Sequence, residues 1–333
     1  MTILVTGGAG YIGSHMVHEL VDIGERVVVL DNLSTGFRFL IPAGVPFVAG
    51  NGGDRSLAAD VIRTHGVDAI VHFAASIVVP ESIRDPLGYY RNNTVNTTML
   101  LEAAVACGVR HFIFSSTAAV YGNPERVPVG EDAPTVPISP YGMSKLMSEI
   151  VLHDTARAHD LRFVALRYFN VAGADPKGRT GQATPQATHL IKVACEVALG
   201  RRAKLEVYGT DYPTPDGTCI RDYIHVSDLV RAHVSALSYL RNGGASATFN
   251  CGYGRGASVL EVIAAVRRAV GRDFPVEIAG RRAGDPATLV ADVARIKATL
   301  DWRPRFNDLD LIVGHALAWE RRLAQRRAQP PTP

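Results

Sequence analysis

The chain has 333 residues, 47% of them apolar and 20% charged, with a formal net charge of only +3. These values describe an ordinary globular protein with ample core for one large or two modest domains. They exclude a strongly basic nucleic-acid binder, and no apolar run is long enough to span a bilayer.

The first predicted element is an apolar, β-favouring run, Thr2-Ile3-Leu4-Val5-Thr6, whose early start leaves no room for a signal peptide. Gly7-Gly8-Ala9-Gly10-Tyr11-Ile12-Gly13 follows, and Met16, Val17, Leu20 and Val21 then recur at helical spacing. A second strand over 26–30 ends at Asp31. Strand, glycine turn, helix, strand, acid is the order of a dinucleotide site. Of Gly7, Gly10 and Gly13, one serves the tight turn, one the approach to a pyrophosphate and one the close packing of helix on sheet. The helix N-terminus offers free N–H groups to phosphate. Asp31, eighteen residues after Gly13, is placed to accept from the adenosine ribose hydroxyls. Its charge would repel a 2′-phosphate, so NAD is expected over NADP, although Arg38 is nearby.

Further strands are expected over 46–50, 69–73, 111–114 and 163–167, with helices over 57–65, 86–107 and 141–159. Wholly apolar strands alternating with helices predict a Rossmann-type, doubly wound parallel α/β sheet, here assigned to an NAD-binding domain over 1–171. The loops after Phe73, Phe114 and Arg167 should converge on the cofactor at the carboxyl ends of the strands.

Beyond 172 the texture changes. Stretches 173–185 and 208–218 are rich in glycine, proline and polar residues, between expected helices over 188–199, 226–241 and 258–270 and a strand over 274–278. A smaller α/β substrate-binding domain is expected over 172–329, some of whose segments return to the Rossmann sheet. Arg321, Arg322, Arg326 and Arg327 precede Pro330-Pro331-Thr332-Pro333 and read as a solvated, fraying helix end rather than a nucleic-acid arm. Cys107, Cys195, Cys219 and Cys251 form no C-x-x-C pair. They fit a reducing, cytoplasmic setting and neither a metal site nor a disulfide framework.

The second strong signal is Tyr141-Gly142-Met143-Ser144-Lys145, opening a helix after Ser139-Pro140. Tyr141 and Lys145 at i and i+4 share one helix face. A phenol, with an ordinary pKa near ~10, becomes a base at neutral pH only beside positive charge, here an ammonium and an oxidised nicotinamide. Tyr141 can then take a proton from a sugar hydroxyl while hydride leaves the same carbon. Thr117, at the end of the preceding strand, can hydrogen-bond the same oxygen. His72 and His225 read as buried structural histidines at strand ends.

These motifs, together with Leu30–Leu33, His72–Ala75, Phe114–Gly122, Leu166–Asn170, Tyr208–Thr214, Asp216–His225 and 281–285, identify a resemblance. The chain resembles the extended short-chain dehydrogenase/reductases and, within them, the nucleotide-sugar 4-epimerases. The resemblance implies tightly bound NAD, a homodimer through the 86–107 and 141–159 helices, and interconversion of UDP-galactose and UDP-glucose through a 4-keto sugar that turns over in the site. It implies catalysis by Tyr141, Lys145 and Thr117. Around NAD it places Gly7, Gly10, Tyr11, Ile12, Gly13, Asp31, Asn32, Ser34, Asn51, Gly52, Phe73, Ala74, Ala75, Asn92, Lys145 and Phe169. Around the sugar nucleotide it places Asn170, His189, Leu190, Tyr223 and Leu289, with Arg221 and Arg282 on the pyrophosphate and Asp285 on the uridine ribose.

Five positions depart from the family pattern. Thr117 replaces a serine, Asn51 an adenine-binding aspartate, Ile77 a lysine near the cofactor and His189 an asparagine at the uridine-phosphate site. Leu289 replaces a tyrosine beside the sugar's 2-substituent, which opens room for N-acetylated sugars. A dehydratase would need an Asp-Glu pair after Thr117, where this chain has Ala118 and Ala119. A UDP-hexuronate or UDP-pentose epimerase is the nearest enzymatic alternative, and a non-catalytic NAD-binding sensor the alternative from another class.

Overall fold

The structure, a computed structural model, describes residues 1–282 and 284–328. The first half supplies strands β1 (Thr2–Thr6), β2 (Arg26–Asp31), β3 (Phe47–Ala49), β4 (Val67–His72), β5 (His111–Thr117) and β6 (Arg162–Tyr168). The second supplies β7 (Asn170–Ala172), β8 (Leu205–Tyr208), β9 (Ile220–Arg221), β10 (Tyr223–His225), β11 (Ala247–Cys251), β12 (Ala257–Ser258), β13 (Val276–Ala279) and β14 (Thr288–Leu289). Seven strands form one sheet in the order β11-β6-β5-β4-β1-β2-β3, and every pair in it is parallel. Strand order reverses between β1 and β4, so the crevice for a ligand opens there, at the carboxyl ends.

The central strands are apolar throughout because both faces are covered. Ile3, Leu4 and Val5 of β1 and Phe112, Ile113 and Phe114 of β5 have no exposed surface. One core cluster, including Leu4, Val28, Ile70 and Phe112, fills one side, and a larger one fills the other. The larger cluster runs from Met16 and Val17 to Leu229 and Val262, so it continues without a break into the C-terminal region.

The expected 86–107 helix is present in three pieces: Pro86–Tyr89, a π-helical turn over Tyr90–Val95, and Asn96–Ala106. The 111–114 strand extends through Ser115, Ser116 and Thr117, because β6 pairs with it as far as Thr117↔Tyr168. Helix Val226–Arg241 packs against helix Tyr11–Asp22, and β11 then joins the edge of the main sheet beside β6.

Arg321, Arg322, Arg326 and Arg327 are exposed, as expected of a solvated helix end, but the helix does not fray and three of them also meet neighbouring loops. The last helix is continuous over Leu309–Ala328. Arg322 donates to the Gly178 carbonyl, Arg327 to that of Ala183 at 3.1 Å, and the Arg326 guanidinium lies 4.1 Å from the Phe39 ring centroid. Backbone acceptors and an aromatic face on the neighbouring loops hold these side chains. Pro330-Pro331-Thr332-Pro333 lie outside the described residues. No helix among the described residues is long and apolar enough to cross a membrane.

Candidate active site

The glycine turn has the geometry a phosphate cradle needs. Gly7 has φ +68°, and a Cβ there would sit 2.6 Å from the Ala74 nitrogen, so the turn lies directly against the Phe73-Ala74-Ala75 loop. A Cβ on Gly13 would sit 2.1 Å from the Gly7 oxygen, which explains the close contact of helix and turn. Gly10 caps helix Tyr11–Asp22 without any side-chain hydrogen bond, and the first turn holds no acidic residue. The N–H groups of the Tyr11 and Ile12 turn therefore stay available to an anion, and a dinucleotide pyrophosphate fits this cradle.

Asp31, 7% exposed, accepts from Ala9 N at 2.9 Å and Leu33 N at 2.7 Å, so it braces the turn from the end of β2. Asn32 and Ser34 are exposed just beyond it, and the Asn32 side chain accepts from Ser34 N at 3.0 Å. Arg38 lies instead over the Phe47 ring, 5.0 Å from its centroid. Asn51 Oδ1 is already engaged by Gly53 N at 2.9 Å and Asn96 Nδ2 at 3.3 Å. Asn96 also donates to Asn92, and Asn92 to Ser76, giving a rim of amides along the cofactor side of the crevice. Gly52 is buried against Thr6, while Ile77 is half exposed and makes no polar contribution. Tyr11 reaches across to the Gly173 carbonyl at 2.7 Å.

Pro140–Ala158 starts on a side-chain cap from Ser139 with Pro140 in its first turn. Tyr141 and Lys145 lie on its face toward the end of β5. Burial raises the Tyr141 pKa, and the nearby Thr117 hydroxyl opposes that rise. Thr117 is itself held by accepting from Ala119 N at 3.1 Å. Lys145 is 2% exposed, donates to the Ser115 carbonyl at 2.8 Å and lies 4.8 Å from the Phe114 ring centroid. Burial pulls its pKa down to about 7 against the opposing charge of Glu149.

On the substrate side two short pairings bring the expected residues together. Asn170 of β7 is the register partner of Tyr223 in β10, and Leu289 of β14 is that of Arg221 in β9. Arg221 donates from Nη1 to the Ile220 and Pro286 carbonyls and places Nη2 3.6 Å from Asp285. Arg282 is exposed, with its guanidinium 4.0 Å from the Tyr208 ring centroid. Tyr11, Asn170, His189, Leu190 and Tyr223 line one small cavity, which Ala316, Trp319 and Glu320 of the last helix also border. His189 takes its Nδ1 contact from Gln182 at 2.8 Å, and burial lowers its pKa. Phe169, 8% exposed, precedes this cavity at the end of β6.

His72 bridges Thr6 at 2.6 Å and Thr97 at 3.0 Å, and His225 stacks on Phe306 and meets His315 at 3.0 Å. Both are structural. The sequence reading missed Ser116, Glu149, Arg167 and Gln182. One signal for Arg167 was available: a guanidinium in an otherwise apolar strand demands a buried partner.

The fold and this site define a nucleotide-dependent oxidoreductase-type enzyme, and the chain belongs to the NAD-dependent epimerase/dehydratase family, whose model matches residues 3–252. It is 60% identical to the UDP-glucose 4-epimerase of Azospirillum brasilense, over 99% of this chain and 95% of that one. Among solved structures it is similar to the UDP-glucose 4-epimerase of Brucella ovis in complex with NAD, with 46% identity, a TM-score of 0.93 and coverage of 95% and 97%. The UDP-Glc/GlcNAc 4-epimerase of Campylobacter jejuni is 49% identical with a TM-score of 0.85, covering 96% and 99%.

Proposed function

We propose that this chain interconverts UDP-galactose and UDP-glucose by NAD-dependent epimerisation at C4. The observation that carries the reading is Tyr141, faced by Thr117 and backed by the buried Lys145, beside an uncapped glycine-turn helix. Bound NAD would supply the hydride acceptor and donor. Tyr141 takes the proton of the 4-hydroxyl, with Thr117 hydrogen-bonding the same oxygen, and returns it when the other face of the 4-keto sugar is reduced. Lys145 supplies the positive charge that favours the phenolate. Arg221, Asp285, Tyr223 and Asn170 hold the nucleotide half firmly, while the sugar end has few polar partners and is free to turn.

Ala118 and Ala119 follow Thr117 where elimination of water would need an acid and a base, so dehydration is disfavoured. Leu289 favours a wider sugar pocket, which supports UDP-N-acetylhexosamines as further substrates. A homodimer is the proposed assembly: Ile83, Leu87, Val95, Met147 and Ile150 are 62%, 72%, 50%, 42% and 52% exposed on helices that pack side by side. An apolar stripe of that kind suits a helix-to-helix interface between two copies. Four free cysteines fit a cytoplasmic setting.

The test is a proton-NMR time course with UDP-galactose and no added NAD. UDP-glucose must appear; absence of product even after NAD is supplied rejects the reading. Light scattering on the same sample measures the mass of the assembly.

A further inference from the structure

Helix Pro140–Ala158 places Tyr141, Lys145 and Glu149 at i, i+4 and i+8, on one stripe. Glu149, 2% exposed, is the centre of a buried polar chain. Arg167 of β6 grips its carboxylate, with Nε 3.0 Å from Oε1 and Nη2 2.6 Å from Oε2. Ser116 donates its hydroxyl to Oε1. Arg167 also donates from Nη1 to the Tyr121 hydroxyl at 2.9 Å, which donates to Asn250 at 2.7 Å. One residue earlier on β5, the Ser115 carbonyl accepts from Lys145. Two adjacent residues of β5 are thus pinned to the helix, and the next one is Thr117, the partner of Tyr141.

A buried ion pair is a weak source of stability compared with apolar packing of similar volume. Its place directly behind the Tyr141–Lys145 pair calls for another reason. We propose that Glu149, together with Arg167, is a positioning residue for Tyr141 and Lys145: it fixes the register of the helix on β5 and balances the electrostatic potential around both groups. This rests on the epimerase reading, in which Tyr141 is the base.

The charged neighbours around this polar chain are Glu81 against Tyr89, Glu131 near Tyr121, and Asp154 and Arg157 beside His153, while burial keeps the histidines and tyrosines packed here neutral near pH 7. Burial brings His72 of β4 down to about 3 and raises Tyr168 of β6, Tyr89 of the Pro86–Tyr89 turn and Tyr121. Burial also lowers His153, one turn beyond Glu149. Glu149 is the charge that raises Lys145 against its burial, and Arg167 offsets Glu149.

The experiment measures kcat/KM for UDP-galactose against pH in the full-length protein and in Glu149→Gln, Arg167→Gln and the double variant. Losing the carboxylate alone should move both limbs to lower pH, by about half a unit or more. Losing the guanidinium alone should move both to higher pH, and the double variant should restore the original positions. A purely structural role would lower the rate without opposite shifts. Limbs that stay in place in the single variants, or move the same way in both, overturn the proposal. If the single variants do not fold, Glu149→Asp keeps the charge but withdraws the carboxylate. It should lower kcat about tenfold with KM unchanged, and an unaltered kcat would overturn the proposal. An inactive native chain would instead sink the epimerase reading itself.

Discussion

Asp31 braces the glycine turn through Ala9: its Oδ2 takes the Ala9 N–H at 2.9 Å, while Oδ1 takes that of Leu33 at 2.7 Å. The acid at the end of β2 therefore shapes the glycine turn itself. Asp31→Ala strands two backbone donors and should cost about 1–3 kcal/mol of stability, with weaker NAD retention. Thermal melts and a cofactor titration on the same sample check both effects. An unchanged melting temperature would show that the brace is dispensable.

Tyr141→Phe removes the hydroxyl and almost nothing else. It should lower kcat by about 10²–10⁴-fold while leaving KM for UDP-galactose near its native value. Steady-state kinetics decide it, and a variant within threefold of native kcat would remove Tyr141 from the proton path.

Lys145 carries a stability cost that depends on pH. Its folded pKa, about 7, lies below the ordinary lysine value of 10.5, so the unfolded chain binds the extra proton. The penalty is fully present below pH 7 and is relieved as pH rises from 7 towards 10.5. Lys145→Met should therefore be inactive, yet its stability relative to the native chain should be most favourable at pH 6 and decline towards pH 10. The swing is on the order of 1–5 kcal/mol. Urea unfolding at several pH values reads it; the opposite slope would contradict the burial argument.

Gly13→Ala places a Cβ 2.1 Å from the Gly7 oxygen, so backbone must move. We expect destabilisation of about 1–3 kcal/mol and loss of retained NAD, measured by melting and by the cofactor released on denaturation.

Leu289→Tyr fills the space beside Arg221 in the β9–β14 pair. Turnover of UDP-N-acetylgalactosamine relative to UDP-galactose should fall at least about tenfold. Equal loss on both substrates would place Leu289 elsewhere than beside the sugar.

The opening strand–turn–helix–strand unit was legible because its signals are local: glycine spacing, apolar strands and an acid within 31 residues. Tyr141 and Lys145 were legible for the same reason, being four residues apart on one helix. Glu149 and Arg167 were not read, since an ion pair 18 residues apart has no local mark beyond a charge in an apolar strand. Strand β11 was also missed: Ala247–Cys251 is short, and only its long-range pairing with β6 makes it a strand. The two-residue strands β9, β12 and β14 have no periodicity to read; tertiary contacts define them.

The return of β11 to the main sheet gives the molecule a single mechanical frame. Phe163, Val164, Ala165 and Leu166 of β6 are wholly buried, and β11 covers their open edge. A chain stopped after β6 would present that edge, with its unpaired backbone and apolar flanks, to any other chain it met. A nucleotide half ended after β6 is therefore expected to pair with other chains along that edge, and residues 247–251 are the segment that closes it.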